Sequence, residues 1–71
     1  MRVQVYLQDN SFVEYDVETG HQCREHAKRI VTEGFQWDFG DGLTYYPVHW
    51  VMKVRVPDVR AGVRYPVERT G

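Results

Sequence analysis

Three side chains that can bind a metal ion, or act as nucleophile and base, lie close together in this sequence: His21, Cys23 and His26. Cys23 and His26 are three residues apart, so on a helix both could face one zinc ion. Ligands within a single turn do not complete a tetrahedral site, and a fourth would have to come from His49 or an acidic residue. Cys23 and His26 could also act as a thiol nucleophile and its base, but the sequence indicates no oxyanion hole and no third group to orient the base. The sequence therefore predicts a buried cysteine beside surface histidines, with no metal, no cofactor and no catalytic residue.

Carboxylates form two further patterns, one on a predicted strand and one in a predicted turn. Glu14, Asp16 and Glu18 alternate along the chain and would share one face of a strand. Acid–base chemistry by paired carboxylates needs an enclosing cleft to separate their pKa values, and so short a chain offers little cleft. This acidic stripe predicts either a solvated strand edge or a surface that meets a basic partner. Asp38 and Asp41 are explained by a hairpin turn.

Aromatic residues form the third set, at 14% of the chain. Tyr6 and Phe12 are predicted to lie on the sheet face that a single helix leaves uncovered, and Tyr and Trp are enriched at protein interfaces. We therefore predict a contact with another protein through these candidate residues: Tyr6, Phe12, Glu14, Asp16, Trp37, Tyr45 and Trp50. Two alternatives are a C-terminal tail that folds back over this face and a homodimer formed through it.

Nucleic-acid binding is the alternative function, because single-stranded RNA can stack its bases on aromatic sheet faces. Arg60, Arg64 and Arg69 could supply positive charge to the phosphates. The formal net charge of −1, from 9 basic and 10 acidic residues, is not that of a dedicated nucleic-acid binder. Acidic residues, rather than Lys or Arg, also lie beside Phe12. Protein binding is therefore the preferred interpretation.

The elements that would position these residues follow from hydrophobic periodicity in the first half of the chain. Alternation predicts strands over 2–8 and 12–18, joined by the turn-forming residues 9–11. Their core face would consist of Val3, Val5, Leu7, Val13, Tyr15 and Val17. Thr19 and Gln22 have the spacing of a capping box, and Gly34 is suited to end a helix over about 20–33. The apolar stripe of that helix would be Cys23, Ala27, Ile30 and Val31.

The second half of the chain predicts three more strands. Alternation over 35–39 and the run 43–46 predict two strands of a hairpin around the turn 40–42. Pro47 interrupts the second of these strands, because proline cannot donate to a ladder. A last strand is predicted over 50–56, with one face formed by Trp50, Met52, Val54 and Val56. Residues 57–71 have no sustained period and are predicted to form an extended or mobile tail.

These elements predict an α+β domain over residues 1–56, in the order β-β-α-β-β-β, followed by the tail. A single amphipathic helix would pack on one face of a mainly antiparallel sheet. The lone cysteine, together with the lack of an apolar leader or a stretch of ~20 apolar residues, predicts a cytoplasmic protein without membrane contact.

Residues 45–51 read Tyr-Tyr-Pro-Val-His-Trp-Val. This segment resembles the Tyr-Pro-X-His stretch of small proteins that phages and other mobile elements often carry. The resemblance covers about a tenth of the chain and implies a small accessory or inhibitor protein. The sequence as a whole therefore predicts a non-catalytic protein-binding module that acts as a regulator, inhibitor or accessory protein.

Overall fold

A computed structural model describes residues 1–60 of the 71-residue chain. Along the chain the elements are β1 (Arg2–Leu7), β2 (Phe12–Asp16), α1 (Gly20–Glu33), β3 (Phe35–Asp38), β4 (Leu43–Tyr46), a 3-10 turn (Val48–Trp50) and β5 (Val51–Arg55). The predicted α+β class and the order β-β-α-β-β-β are confirmed. No helix in the described residues is both long and apolar enough to cross a membrane.

The strands form two antiparallel sheets rather than the single sheet that we expected. One has three strands in the order β2-β1-β5, and the other is the β3–β4 hairpin. Pro47 ends β4, because proline has no N–H to extend the ladder, and the 3-10 turn then carries the chain to the edge of β1. The hairpin packs against the first sheet through side chains instead, with the Trp37 ring stacked 5.3 Å from that of Tyr15.

The core lies between the three-stranded sheet, the helix and the start of the hairpin. Its buried residues are Val3, Val5, Leu7, Val13, Cys23, Ile30 and Phe35. The predicted inward faces of β1 and β2 are thus confirmed, with Tyr15 and Val17 partly buried against this cluster. The predicted helix stripe is wrong at Val31, which is exposed because the helix contacts β1 and β5 through the side that carries Cys23 and Ile30.

A β-bulge in the pairing of β1 with β5 reverses the predicted faces at the start of the last strand. Tyr6 lies opposite Lys53, but Leu7 lies opposite Val51, so Met52 is the additional residue. One extra residue moves the neighbouring side chains to the other face of a strand. Val51 therefore packs on the core while Met52 is exposed. Trp50 precedes the strand, and its carbonyl accepts a hydrogen bond of 2.8 Å from the Gln8 amide.

Both ends of the helix agree with the sequence prediction. Thr19 Oγ1 accepts from the Gln22 amide at 3.1 Å, and Gln22 Oε1 accepts from the Thr19 amide at 3.2 Å, which completes the capping box. Gly34 has a φ of 101° and donates its N–H to the Ile30 carbonyl at 3.0 Å. This positive φ favours glycine and lets the chain leave the helix directly into β3.

The residues that follow β5 contact the domain as far as they are described. Asp58 binds Arg2, Val59 packs on the core, and the Arg60 carbonyl accepts from Arg24 Nη2 at 3.1 Å. The remainder of the predicted tail, including Arg64 and Arg69, lies outside the described residues. The domain boundary after residue 56 stays a prediction.

Candidate binding surface on the three-stranded sheet

One face of the three-stranded sheet points away from the helix and the hairpin. Alternation along the strands brings to this side eight residues, which we call the outer face: Arg2, Gln4, Tyr6, Phe12, Glu14, Asp16, Lys53 and Arg55. The helix packs on the opposite side, against β1 and β5. Phe12 keeps 49% of its surface exposed. The outer face is thus an open sheet surface that carries two aromatic rings among charged side chains.

Strand register orders the outer face into three rows that run across the strands. Residues directly opposite each other on antiparallel strands are close enough for their side chains to interact. The rows are Phe12–Tyr6–Lys53, Glu14–Gln4–Arg55 and Asp16–Arg2, and Asp58 completes the third through its contact with Arg2. Each row therefore has its central residue on β1.

The first row is an aromatic pair with a cation beside it. The ring centroids of Tyr6 and Phe12 are 4.9 Å apart, and the ring planes are inclined by 50°. Lys53 Nζ lies 4.8 Å from the centroid of the Tyr6 ring, within the range of a cation–π contact. These contacts place the two rings and the Lys53 ammonium side by side on the sheet surface.

The second row is a chain of side-chain hydrogen bonds that ends in opposite charges. Gln4 Nε2 donates to Glu14 Oε2 at 2.7 Å, and Arg55 Nη1 donates to Gln4 Oε1 at 3.4 Å. The Gln4 amide thereby links an anionic edge on β2 to a cationic edge on β5. Arg2 Nη1 also lies 4.0 Å from Glu14 Oε2.

The third row contains the strongest ion pair in the described residues. Asp58 accepts from Arg2 Nη2 at 2.9 Å, from Arg2 Nε at 3.2 Å and from the Arg2 backbone N–H at 2.9 Å. These side-chain and backbone hydrogen bonds lower the pKa of Asp58 from 3.8 to about 2. The same hydrogen bonds connect the segment after β5, which carries Asp58, to the first residue of β1, Arg2.

Acidification provides a test of this ion pair. Because its folded-state pKa lies below the unfolded value, Asp58 contributes stability above about pH 4, and this is lost as the pH falls through about 2. We expect the thermal midpoint of the wild type to fall more steeply between pH 4 and pH 2 than that of Asp58→Asn, measured by circular dichroism. Asp41→Asn, in the hairpin turn, is the control and should follow the wild type. Parallel curves for wild type and Asp58→Asn would contradict this role.

The structure separates the seven predicted interface residues into different surfaces. Tyr6, Phe12, Glu14 and Asp16 share the outer face. The other three lie elsewhere: Trp37 stacks on Tyr15 and Phe35 on the inner side of the hairpin, Tyr45 is 70% exposed on its far side, and Trp50 is in the 3-10 turn. The predicted interface did not include Arg2, Gln4, Lys53 or Arg55, which also lie on the outer face. Alternation had placed Lys53 and Arg55 together, but nothing local indicated that β5 pairs with β1.

Two open grooves lie on the other side of the molecule, between the C-terminal half of α1 and the hairpin. Their volumes are about 490 Å³ and about 290 Å³, and both are lined by Arg29, Gly34, Phe35 and Gln36. In the smaller groove, Tyr15 Oη and His26 Nδ1 form a hydrogen bond of 2.8 Å, and burial raises the pKa of Tyr15.

The cysteine and histidines near the helix start contact different partners. Cys23 is fully buried, and its Sγ lies 3.6 Å from the Arg2 carbonyl oxygen. His26 is bound to Tyr15, and His21 Nε2 lies 3.8 Å from Glu25 Oε2. Within residues 1–60, no group of three or more His, Cys, Asp or Glu side chains is arranged to hold a metal ion.

Comparisons of the chain with protein-family models, with curated proteins and with solved structures found no match. The function is therefore inferred from the chemistry of the outer face. Together with Asp58, which binds Arg2, that surface combines two aromatic rings with three basic residues (Arg2, Lys53 and Arg55) and three acidic ones (Glu14, Asp16 and Asp58).

Proposed function

We propose that this protein is a non-catalytic protein-binding module and that its binding surface is the outer face. The observation that carries the proposal is the half-exposed Phe12 ring, held against Tyr6 at 4.9 Å and bordered by charged rows. An aromatic centre with a polar rim is the usual anatomy of a protein interface. Because Tyr6 and Phe12 already pack against each other, their side chains would lose little conformational entropy when a partner binds.

The balance of charge on this surface favours a protein partner. Three basic and three acidic side chains lie within a small area of the described residues, so charges of both signs are close together on this surface. Such a mixed pattern matches the mixed surface of another protein, whereas a polyanion would meet repulsive carboxylates. The resemblance of residues 45–51 to phage and mobile-element proteins further favours an accessory or inhibitor role in the cytoplasm.

The shape of the surface also favours binding over catalysis. The outer face is an open sheet without the enclosing cleft that perturbs catalytic groups. The neighbouring carboxylate of Asp58 accepts three hydrogen bonds from Arg2, and Glu14 accepts one from Gln4. These side chains shape and orient the surface.

Phe12→Ser should remove most of the binding without unfolding the domain. An interface hot spot of this type contributes about 2 kcal/mol, so we expect about a 30-fold weaker interaction with the principal partner. The measurement is capture from a lysate of the source organism by the tagged protein, with the bound proteins quantified. Leu43→Ser is the matched control, because Leu43 is exposed on the hairpin, away from the outer face.

Three results decide this prediction. Loss of the principal bound protein with Phe12→Ser, but not with Leu43→Ser, would support the outer face as the binding surface. Equal capture by wild type and Phe12→Ser would overturn it. Thermal midpoints of both variants show whether the domain remains folded and therefore whether the loss is local.

Single-stranded nucleic-acid binding is a second candidate, favoured by one contact. Lys53 Nζ lies over the Tyr6 ring, and stacked rings beside a cation are the elements that such proteins use to bind bases and phosphates. The same capture experiment tests it when co-eluting nucleic acid is quantified. Nucleic acid that elutes as the salt concentration rises, and that is absent with Phe12→Ser, would favour this candidate over a protein partner.

A further inference from the structure

The outer face is divided electrostatically between its two edges. Glu14 and Asp16 lie on β2 at one edge, and Lys53 and Arg55 lie on β5 at the other. Gln4 and Tyr6, on the central strand β1, are uncharged. The first row therefore runs from the Phe12 ring through Tyr6 to the cation of Lys53. The second runs from the carboxylate of Glu14 through Gln4 to the cation of Arg55.

Several of these charges have no ionic partner within the described residues. Within residues 1–60, Lys53 forms no ion pair and its Nζ lies over the Tyr6 ring, and Arg55 forms no ion pair and donates to the Gln4 amide at 3.4 Å. Asp16 forms no ion pair in residues 1–60. The two edges thus present opposite charges that are available to a second molecule.

The strand order makes this pattern complementary to itself. A two-fold axis that runs parallel to β1, between two facing sheets, places β2 of one molecule against β5 of the other. An axis perpendicular to the strands would instead place β2 against β2, with like charges opposed. In a two-fold dimer every contact occurs twice. From this complementarity we propose that the outer face binds a second copy of this chain, an inference that rests on the proposed binding role of that face.

The register specifies the contacts in this dimer. Glu14 lies opposite Arg55 of the second copy, where the two form an intermolecular ion pair in place of the link through Gln4. Phe12 lies opposite Lys53 of the second copy, which allows a cation–π contact. The two Tyr6 rings meet at the axis. Two of the three rows are thus complementary across the interface.

The third row limits the affinity of the dimer. Asp16 lies opposite Asp58 of the second copy, and these carboxylates repel although Arg2 partly neutralises Asp58. The face spans three strands and three rows, well below the area of a standard stable interface. We expect a weak dimer with a dissociation constant on the order of 0.1 mM.

Charge reversal tests the two-fold arrangement directly. Glu14→Arg places a guanidinium against Arg55 of the second copy, and Arg55→Glu places a carboxylate against Glu14. We expect each variant alone to dimerise at least about tenfold more weakly than the wild type, because both copies of the contact become repulsive. In an equimolar mixture of the two variants, both contacts are again between opposite charges, and the affinity should return to within about threefold of the wild type.

The measurement is sedimentation equilibrium of the full chain up to about 2 mM, well above the expected dissociation constant. Glu33→Arg, on the exposed side of α1, is the control and should dimerise like the wild type. Asp16→Asn should tighten the dimer by about twofold to fivefold, since it removes the repulsion between Asp16 and Asp58 of the second copy. Circular dichroism of each variant confirms that the domain is folded.

The proposal is overturned if the wild type stays monomeric at this concentration, or if the mixture does not regain affinity. A monomeric wild type whose lysate partner is still lost with Phe12→Ser would reject the dimer and retain the binding role, with a different protein on the outer face. A monomeric wild type whose captured proteins are unchanged by Phe12→Ser would reject both.

Discussion

Leu7→Ala is expected to lower the free energy of unfolding by about 3 kcal/mol. Leu7 is 1% exposed on the central strand β1, opposite Val51 at the bulge, so its truncation leaves a cavity in the core. Leu43→Ala is the matched control, because the same atoms are removed from a side chain that is 52% exposed. We expect it to cost less than about 1 kcal/mol.

Urea denaturation followed by circular dichroism measures both variants. A chain of this length buries a small core, and its total stability is expected to be about 5 kcal/mol, so Leu7→Ala removes more than half of it. A partly unfolded population at 25 °C would be consistent with that loss. Equal destabilisation by Leu7→Ala and Leu43→Ala would contradict the assignment of the core.

Gly34→Ala is expected to destabilise the domain by about 3 kcal/mol, through two separate effects. A φ of 101° is strained for any residue with a side chain, and the added Cβ would lie 2.6 Å from the Tyr46 carbonyl oxygen. That oxygen belongs to the backbone and cannot move without shifting β4. Gly34 is therefore required both by its conformation and by the close approach of the hairpin to the helix end.

Gly40→Ala separates these two effects. Gly40 has nearly the same φ, 104°, but an added Cβ would meet nothing within 4 Å. It should therefore cost only the conformational strain of about 1 kcal/mol. The difference between the two variants in urea denaturation measures the steric contact with Tyr46. If both variants lose the same stability, the close contact at Gly34 is not the cause.

The proposed binding role can be tested separately from stability, because the core and the outer face lie on opposite sides of the same strands. Val3, Val5 and Leu7 point into the core, while Gln4 and Tyr6 point to the outer face. Substitutions at Phe12, Glu14 or Arg55 change exposed side chains and leave the core untouched. Loss of binding in those variants therefore reports on the surface itself.

Local spacing was enough to predict the elements that depend on neighbouring residues. The capping box of Thr19 and Gln22, the helix end at Gly34 and the turn 9–11 were all predicted correctly. In that turn, the Ser11 amide donates to Asp9 Oδ1 at 3.0 Å, a contact that lowers the pKa of Asp9. Strand alternation likewise predicted that Tyr6 and Phe12 share a face, because the residues of a tight hairpin pair across its own turn.

The tertiary structure alone decided which distant segments meet. The bulge at Met52 and the turn at Trp50 depend on how β5 docks against β1, and that pairing joins residues about fifty positions apart in the chain. The pairing of β5 with β1 also places Lys53 beside Tyr6 and Arg55 beside Gln4. Sequence periodicity reports which side of a strand a residue occupies, but not which strand lies next to it. The sequence therefore determined the helix, the strands and the inward faces of β1 and β2, whereas the inward face at the start of β5 and the charge pattern of the outer face were decided only when β5 paired with β1.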